Sequence, residues 1–319
     1  MAVSVIEPIS LSIDRTRRVL FAPFDIVKWL KLGFCAFLAT LLEGGGSGNG
    51  GGGGGDHGHG GSGRGPEVPE NFSDAVGMAW QWLVGNPFWA VLIAAVLVVL
   101  IVITVVLLWL RARGKFMFLD GVVQNRGAVV EPWRRFRVVA NSLFWFYMLI
   151  GVVEVVLIGG LVIGIVAILW TDVVAGHSTP GVLAAIVLGV CIALPCVLAS
   201  ALIGSLLDNL VIPVMYLRGL KMWPAWGVFG REILTGHIGA VILFCLMRIL
   251  ISLVIAIASI LACCFTCCLV LLPYIGTVIL LPLLTFDRCY GVYFLQQYGQ
   301  EWTFFADEAL VPSEQPPPA

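Results

Sequence analysis

The chain has 319 residues, of which 60% are apolar and 12% charged, and its mean hydropathy is +1.00. A water-exposed globule of this length needs far more polar surface, so the composition points to lipid as the solvent. A net charge of -1 gives no basis for a nucleic-acid partner or a broadly basic surface.

The N-terminal segment holds Arg15, Arg17 and Arg18, then Pro23-Phe24-Asp25. Glu7 and Asp14 precede the basic cluster, and no small-residue cleavage site follows an apolar core. It therefore lacks the shape of a signal peptide, and the first span is expected to stay in the mature protein. That span, 26–43, has Lys28 and Lys31 near its start and Glu43 at its end, so its apolar core runs only from Leu32 to Leu42. It predicts a tilted or half-crossing helix, with a buried or interfacial helix as the alternative.

Residues 44–72 are expected to form a flexible outer loop. Its run 44–65 contains 15 glycines in 22 residues, which cannot bury a core. Asp56, His57 and His59 inside it offer three potential metal ligands but no rigid frame, so they read as polar punctuation and no metal site is expected. Ser73 is suited to cap a short amphipathic helix carrying Val76, Trp80 and Leu83, which fits the outer interface.

Five further spans follow, at 88–110, 143–170, 181–204, 238–262 and 268–286, most of them reaching the roughly 20 residues that cross the hydrocarbon. Asn86-Pro87 marks the start of the second. Small residues at spacings of four, Gly160 and Gly164, then Ala185, Gly189 and Ala193, then Ala258 and Ala262, mark helix-packing seams, inside the molecule first and between copies second. Pro195, Pro213, Pro273 and Pro282 are expected to kink or end helices. Residues 301–319 are expected to be a disordered cytoplasmic tail, with Glu314 to Ala319 rich in proline.

Sixteen of the 18 basic residues fall on one side of this arrangement. They are Arg15, Arg17, Arg18, Lys28 and Lys31; Arg111, Arg113, Lys115, Arg126, Arg134, Arg135 and Arg137; Arg218, Lys221 and Arg231; and Arg288. Arg64 alone lies opposite, and Arg248 lies within a span. The positive-inside rule then places both termini in the cytoplasm and the protein in the cell membrane.

Two cytoplasmic loops repeat each other. Val123-Gln124-Asn125-Arg126-Gly127 leads to Pro132, Trp133 and Phe136, and Met215-Tyr216-Leu217-Arg218-Gly219 leads to Pro224, Trp226 and Phe229, at a constant offset of 92 to 93 residues. Leu295 to Gly299 reads as a degenerate third copy, and Pro23-Phe24 before span one as the counterpart of Pro132 to Phe136. The fold class is therefore all-α integral membrane: one domain, 1–300, of six transmembrane helices built as three parallel hairpin repeats with cytoplasmic interfacial helices.

The repeat places two charges at one depth, Glu154 and Arg248, with Glu43 a third if span one belongs to the repeat. Glu154 follows Phe136 by 18 residues, Arg248 follows Phe229 by 19, and Glu43 follows Phe24 by 19. An unpaired charge near the bilayer centre costs about 2.5 to 3.5 kcal/mol on insertion scales, so Glu154 and Arg248 should face the bundle interior and pair. Such a layer is either a structural ion pair that fixes register or the polar lining of a solute or proton path. Asp208 and Asn209, at the inner end of span four, are the nearest candidates to extend it.

Cys263, Cys264, Cys267 and Cys268 form a CCFTCC turn between spans five and six. Overlapping CxxC spacing allows a disulfide or metal role on the outer side, while small, easily buried side chains explain the turn equally. Cys35, Cys191, Cys196 and Cys245 read as packing residues. Catalytic motifs such as GxSxG, HExxH and a Walker loop do not occur, and His177 beside Asp172 and His237 have no nucleophile nearby in sequence.

The run Arg111 to Gly121 (RARGKFMFLDG), the Pro23-Phe24-Asp25 lead into span one and the hairpins with interfacial helices resemble a family of uncharacterised bacterial six-span integral membrane proteins. That family is similar to the membrane domain attached to some bacterial glycerophosphodiester phosphodiesterases. The resemblance extends from about Ser12 to Gly299 and implies the membrane fold alone, since no hydrolase barrel follows Gly299 and no catalytic residue carries over. The expected role is non-enzymatic, membrane-organising or accessory, without a cofactor. The expected partners are the bilayer, anionic headgroups at the cytoplasmic face, and a membrane protein or a second copy of the chain. The alternatives are a small-solute or proton transporter lined by Glu43, Glu154 and Arg248, and a membrane-embedded enzyme.

Overall fold

The computed structural model describes residues 3–42, 72–174, 180–266 and 269–305. Glu43, the Gly-rich run 44–65 with its His57 and His59, His177, Cys267, Cys268 and the tail from 306 onward lie outside them. Among the described residues all regular structure is helical. Four helical stretches are long and apolar enough to cross a membrane: Pro87–Val123, Arg137–Ala167, Val187–Arg218 and Ile238–Phe265. A bent pair, Pro273–Ile279 and Leu281–Gln296, makes a fifth if taken as one span.

The described residues fall into two compact units, one drawn from Met1–Ser47, Leu107–Phe146 and Leu202–Ala319, the other from Gly48–Val106 and Tyr147–Ala201. The second unit holds α3 (Phe72–Gly85) and parts of three long helices, α4 (Pro87–Val123), α6 (Arg137–Val174) and α7 (Pro180–Leu206). Its surface is apolar: Val91, Val155 and Val156 are among its most exposed side chains. Side chains of this kind are stable outward only against lipid or a partner. Gly189 of α7 lies directly against the Ile165 side chain of α6. Gly160 and Gly164, expected at a seam, have open space at their Cβ positions.

The first unit contains α1 (Glu7–Phe21), α2 (Ile26–Thr40), α5 (Val130–Arg135), α8 (Ile212–Arg218), α9 (Met222–Val228), α10 (Ile238–Phe265), α11 (Pro273–Ile279) and α12 (Leu281–Gln296), with the C-terminal ends of α4 and α7 and the N-terminal end of α6. Asp25 starts α2 by accepting from the Val27 and Lys28 amides at 2.8 and 3.3 Å. Leu32, Cys35, Ala36 and Ala39 then form the buried face, at the spacing one side of a helix requires. α2 is 15 residues long, about 22 Å, short of the roughly 30 Å hydrocarbon core. It packs on α11, where Trp29 Nε1 donates to the Val278 carbonyl at 3.1 Å and Tyr274 donates to the Leu30 carbonyl at 3.1 Å.

Two expectations need correction, and one helix runs on past its expected span. The predicted sixth span, 268–286, is not one helix: a 3-10 turn at Leu269–Leu271 precedes α11, and α11 meets α12 at 66°. Pro273 and Pro282 each stand in the first turn of a new helix, where a residue without an N–H is tolerated. Helix α4 contains the expected 88–110 stretch and continues through the RARGKFMFLDG run to Val123. Within 301–305, expected to be disordered, the aromatic side chains Trp302, Phe304 and Phe305 are buried while Glu301 and Thr303 stay exposed, because aromatic burial outweighs the polar neighbours.

Candidate functional site

The C-terminal end of α4 buries charge. Lys115 is 1% exposed and Asp120 is fully buried, although the sequence gives both the look of loop residues. Gly114 makes this possible. A Cβ there would stand 2.5 Å from the Leu38 carbonyl carbon and the Ala39 nitrogen, so α2 and α4 approach to backbone contact and wall off the next turn.

Lys115 Nζ lies 2.6 Å from Asp208 Oδ1. Asp208 sits in a π-helical turn, Leu207–Val211, between α7 and α8. That widened turn would call on the N–H of Pro213, which does not exist. Arg288 Nη1 of α12 instead donates to the Asp208 carbonyl at 2.6 Å. Gly291 admits the contact, since a Cβ on it would meet the Asn209 carbonyl oxygen at 2.5 Å.

One turn further along α4, Asp120 accepts from the Tyr216 hydroxyl at 3.0 Å and from Arg126 Nη2 at 3.1 Å. Arg126 also grips Glu131 of α5 through Nη1 at 2.7 Å and Nη2 at 3.1 Å. Hydrogen bonding to Glu131 raises the Arg126 pKa above its ordinary value, outweighing partial burial. In the same way Arg218, ending α8, holds Glu232 at 2.5 and 2.8 Å, and that hydrogen bond lowers the Glu232 carboxyl below the usual range.

Backbone carbonyls take two further cations, Arg15 and Lys28. Arg15, 2% exposed, donates to the Val123 carbonyl at the C-terminus of α4 at 2.7 Å and stacks on Phe305 with 4.4 Å to the ring centroid. Lys28 bridges the Val19 carbonyl, near the end of α1, and Asn125 Oδ1, each at 2.6 Å. Arg113 lies between Trp109 and Trp133, 4.4 and 4.6 Å from their rings.

Of the predicted intramembrane charges, Arg248 lies in the first unit and is bidentate to Asp287 of α12, with Nη2 to Oδ2 at 2.7 Å and Nη1 to Oδ1. Asp287 was not among the residues the sequence singled out, although it and Arg288 are the two charges in the largely apolar and aromatic run LPLLTFDRCYGVYF. Glu154 is half-buried on the part of α6 that belongs to the second unit, and Glu43 lies outside the described residues. Cys263 and Cys264 close the last turns of α10, with Cys264 exposed; their partners in the CCFTCC turn, Cys267 and Cys268, lie outside the described residues. The sequence pointed to Asp208 and Asn209 through their place at the end of an apolar span. It gave no sign that Lys115 was the partner.

Chemically, this is a network in which carboxylates are held by cations and cations by carboxylates or helix-terminal carbonyls, an arrangement suited to fixing helices against one another. Residues 3–302 match the model of a family described as a family of unknown function, DUF7544. No curated protein and no solved structure matches.

Proposed function

This chain belongs to the DUF7544 family, and from that premise we propose that it is a non-enzymatic, multi-pass organising or accessory protein of the cytoplasmic membrane. Both termini lie inside. Six spans form three parallel hairpin repeats, α4, α6, α7 and α10 supplying spans two to five and the shorter α2 and the bent α11–α12 pair the outer two. The equivalent loop arginines, Arg126 and Arg218, are each held by a following carboxylate, Glu131 five residues on and Glu232 fourteen residues on, so only the arginines, not their partners, follow the repeat.

One observation carries the choice of a structural role. The buried charges Lys115, Asp120 and Arg15 are held by Asp208, Arg126 and helix-terminal carbonyls, so the inner end of the molecule is a cross-braced platform. Basic interfacial helices around it meet anionic headgroups, and a membrane protein or a second copy is the partner such a platform would hold. A solute or proton carrier lined by Glu43, Glu154 and Arg248 is the rival, and Asp287 already engages Arg248.

Flux into liposomes tests the choice. Purified wild-type protein is expected to leave proton and small-solute entry at the level of empty vesicles. Entry above that level, abolished by Glu154→Gln with folding intact, would make the charge layer a transport path and overturn the proposal.

A further inference from the structure

One side of α1 and the first turns of α12 enclose an open groove of about 550 Å³, lined by Ile13, Thr16, Arg17, Phe21, Pro282, Leu283 and Phe286. Its shape follows from sequence. Ile13, Arg17 and Phe21 recur every four residues and so form one row along α1, while Pro282 turns α12 away from α11 at 66° and leaves the facing wall apolar.

Three features select an occupant. The lining is hydrocarbon-like except for one cation, Arg17, placed between two apolar side chains of its row. Thr16 lines the same groove, and its buried hydroxyl has no hydrogen-bond partner among the described residues. Around the groove Ile13 and Phe21 are 54% and 51% exposed, and Phe24 and Ile26 continue the apolar surface beyond it. An apolar trough with a single cation and a spare hydroxyl matches an amphiphile that carries a fatty chain, an ester carbonyl and a negative phosphate.

We infer that the groove between α1 and α12 binds one anionic glycerophospholipid, its acyl chain along Leu283 and Phe286 and its phosphate on Arg17. The inference rests on the membrane reading above, and specifies which lipid chemistry the N-terminal helix recognises. The Thr16 hydroxyl donates to an ester carbonyl, and Phe21 and Ile13 rest in the surrounding acyl region. A zwitterionic lipid places a choline beside the phosphate and gains less from Arg17.

The full chain in detergent, titrated with dioleoyl phosphatidylglycerol or dioleoyl phosphatidylcholine and read by native mass spectrometry, tests the site. Wild type is expected to hold one phosphatidylglycerol about fivefold more tightly than phosphatidylcholine, the equivalent of one basic residue at an anionic surface. Arg17→Gln should erase that preference, and Leu283→Trp, which fills the trough, should lose both lipids. Lys31→Gln, an exposed cation outside the groove lining, should change neither. Glycerol phosphate alone should not bind, which separates a lipid from a free phosphate. Equal affinity for the two lipids in wild type, or no effect of Arg17→Gln or of Leu283→Trp, overturns the inference. Retention of the same proteins in alkali-washed membranes separates the two levels: a retained protein without lipid preference sinks the groove alone, whereas a protein washed out of the membrane sinks the membrane reading itself.

Discussion

Lys115 and Asp208 illustrate how a single ion pair acts in this protein. Their contact at 2.6 Å joins α4 to the turn before α8, and Lys115 has almost no access to solvent. Removing one partner leaves a charge in a low-dielectric site, which typically costs about 3 to 5 kcal/mol, whereas removing both is far milder. Lys115→Leu is therefore expected to lower unfolding stability in detergent by that amount, and Lys115→Leu with Asp208→Leu to recover most of it; equal loss in both proteins would deny the coupling. Glu232 behaves differently because it is partly exposed. Its folded pKa is depressed by Arg218, so the pair stabilises the fold above the ordinary glutamate value of about 4.3 and loses its contribution as pH falls through the lower folded value. Denaturation scans between neutral and strongly acid pH should show a shallower acid limb in Arg218→Gln than in wild type.

At the scale of elements, close approach of α2 and α4 decides whether the charges at the C-terminal end of α4 can be buried at all. A methyl group on Gly114 would meet backbone atoms of Leu38 and Ala39 at 2.5 Å, and backbone cannot move aside as a flexible side chain can. Gly114→Ala is expected to cost about 1 to 3 kcal/mol through overpacking. The comparison is Gly151→Ala in α6, whose Cβ position meets nothing within 4 Å. There the better helix propensity of alanine, up to about 1 kcal/mol, should leave stability unchanged or raised. A Gly114→Ala protein as stable as wild type in the same thermal-unfolding assay would show that the helices can separate without loss. The bend between α11 and α12 belongs to this scale too, since prolines at 273 and 282 each begin a helix rather than interrupt one.

For the whole molecule, the basic residues of α1, of the loop after α4 and of the loop after α8 set the expected orientation. Green fluorescent protein fused to the C-terminus should fluoresce in cells, and alkaline phosphatase fused after residue 66 should be active outside. A dark C-terminal fusion on a membrane-integrated protein would reverse the topology. The apolar side chains of Val91, Val155 and Val156, all outward-facing, set the same boundary condition. They are stable where lipid or another protein covers them, which is why lipid binding and flux are the informative assays.

The sequence by itself determined the helical class and the positions of the four long apolar helices, because hydrophobic runs of that length carry their own signal without any contact being known. It also flagged Asp208, Arg248 and the prolines of the last hairpin. It did not determine that Lys115, Asp120 and Arg126 are core residues: counted as inward loop charges, they are indistinguishable from Arg134 or Arg135, which lie near them in the chain. Only tertiary structure decided that, by bringing Gly114 onto α2, Tyr216 onto Asp120 and Arg288 onto the π turn at Asp208. Each of these contacts joins residues about 75 to 100 positions apart in the chain, whereas hydrophobic periodicity reports only on neighbours within a few turns.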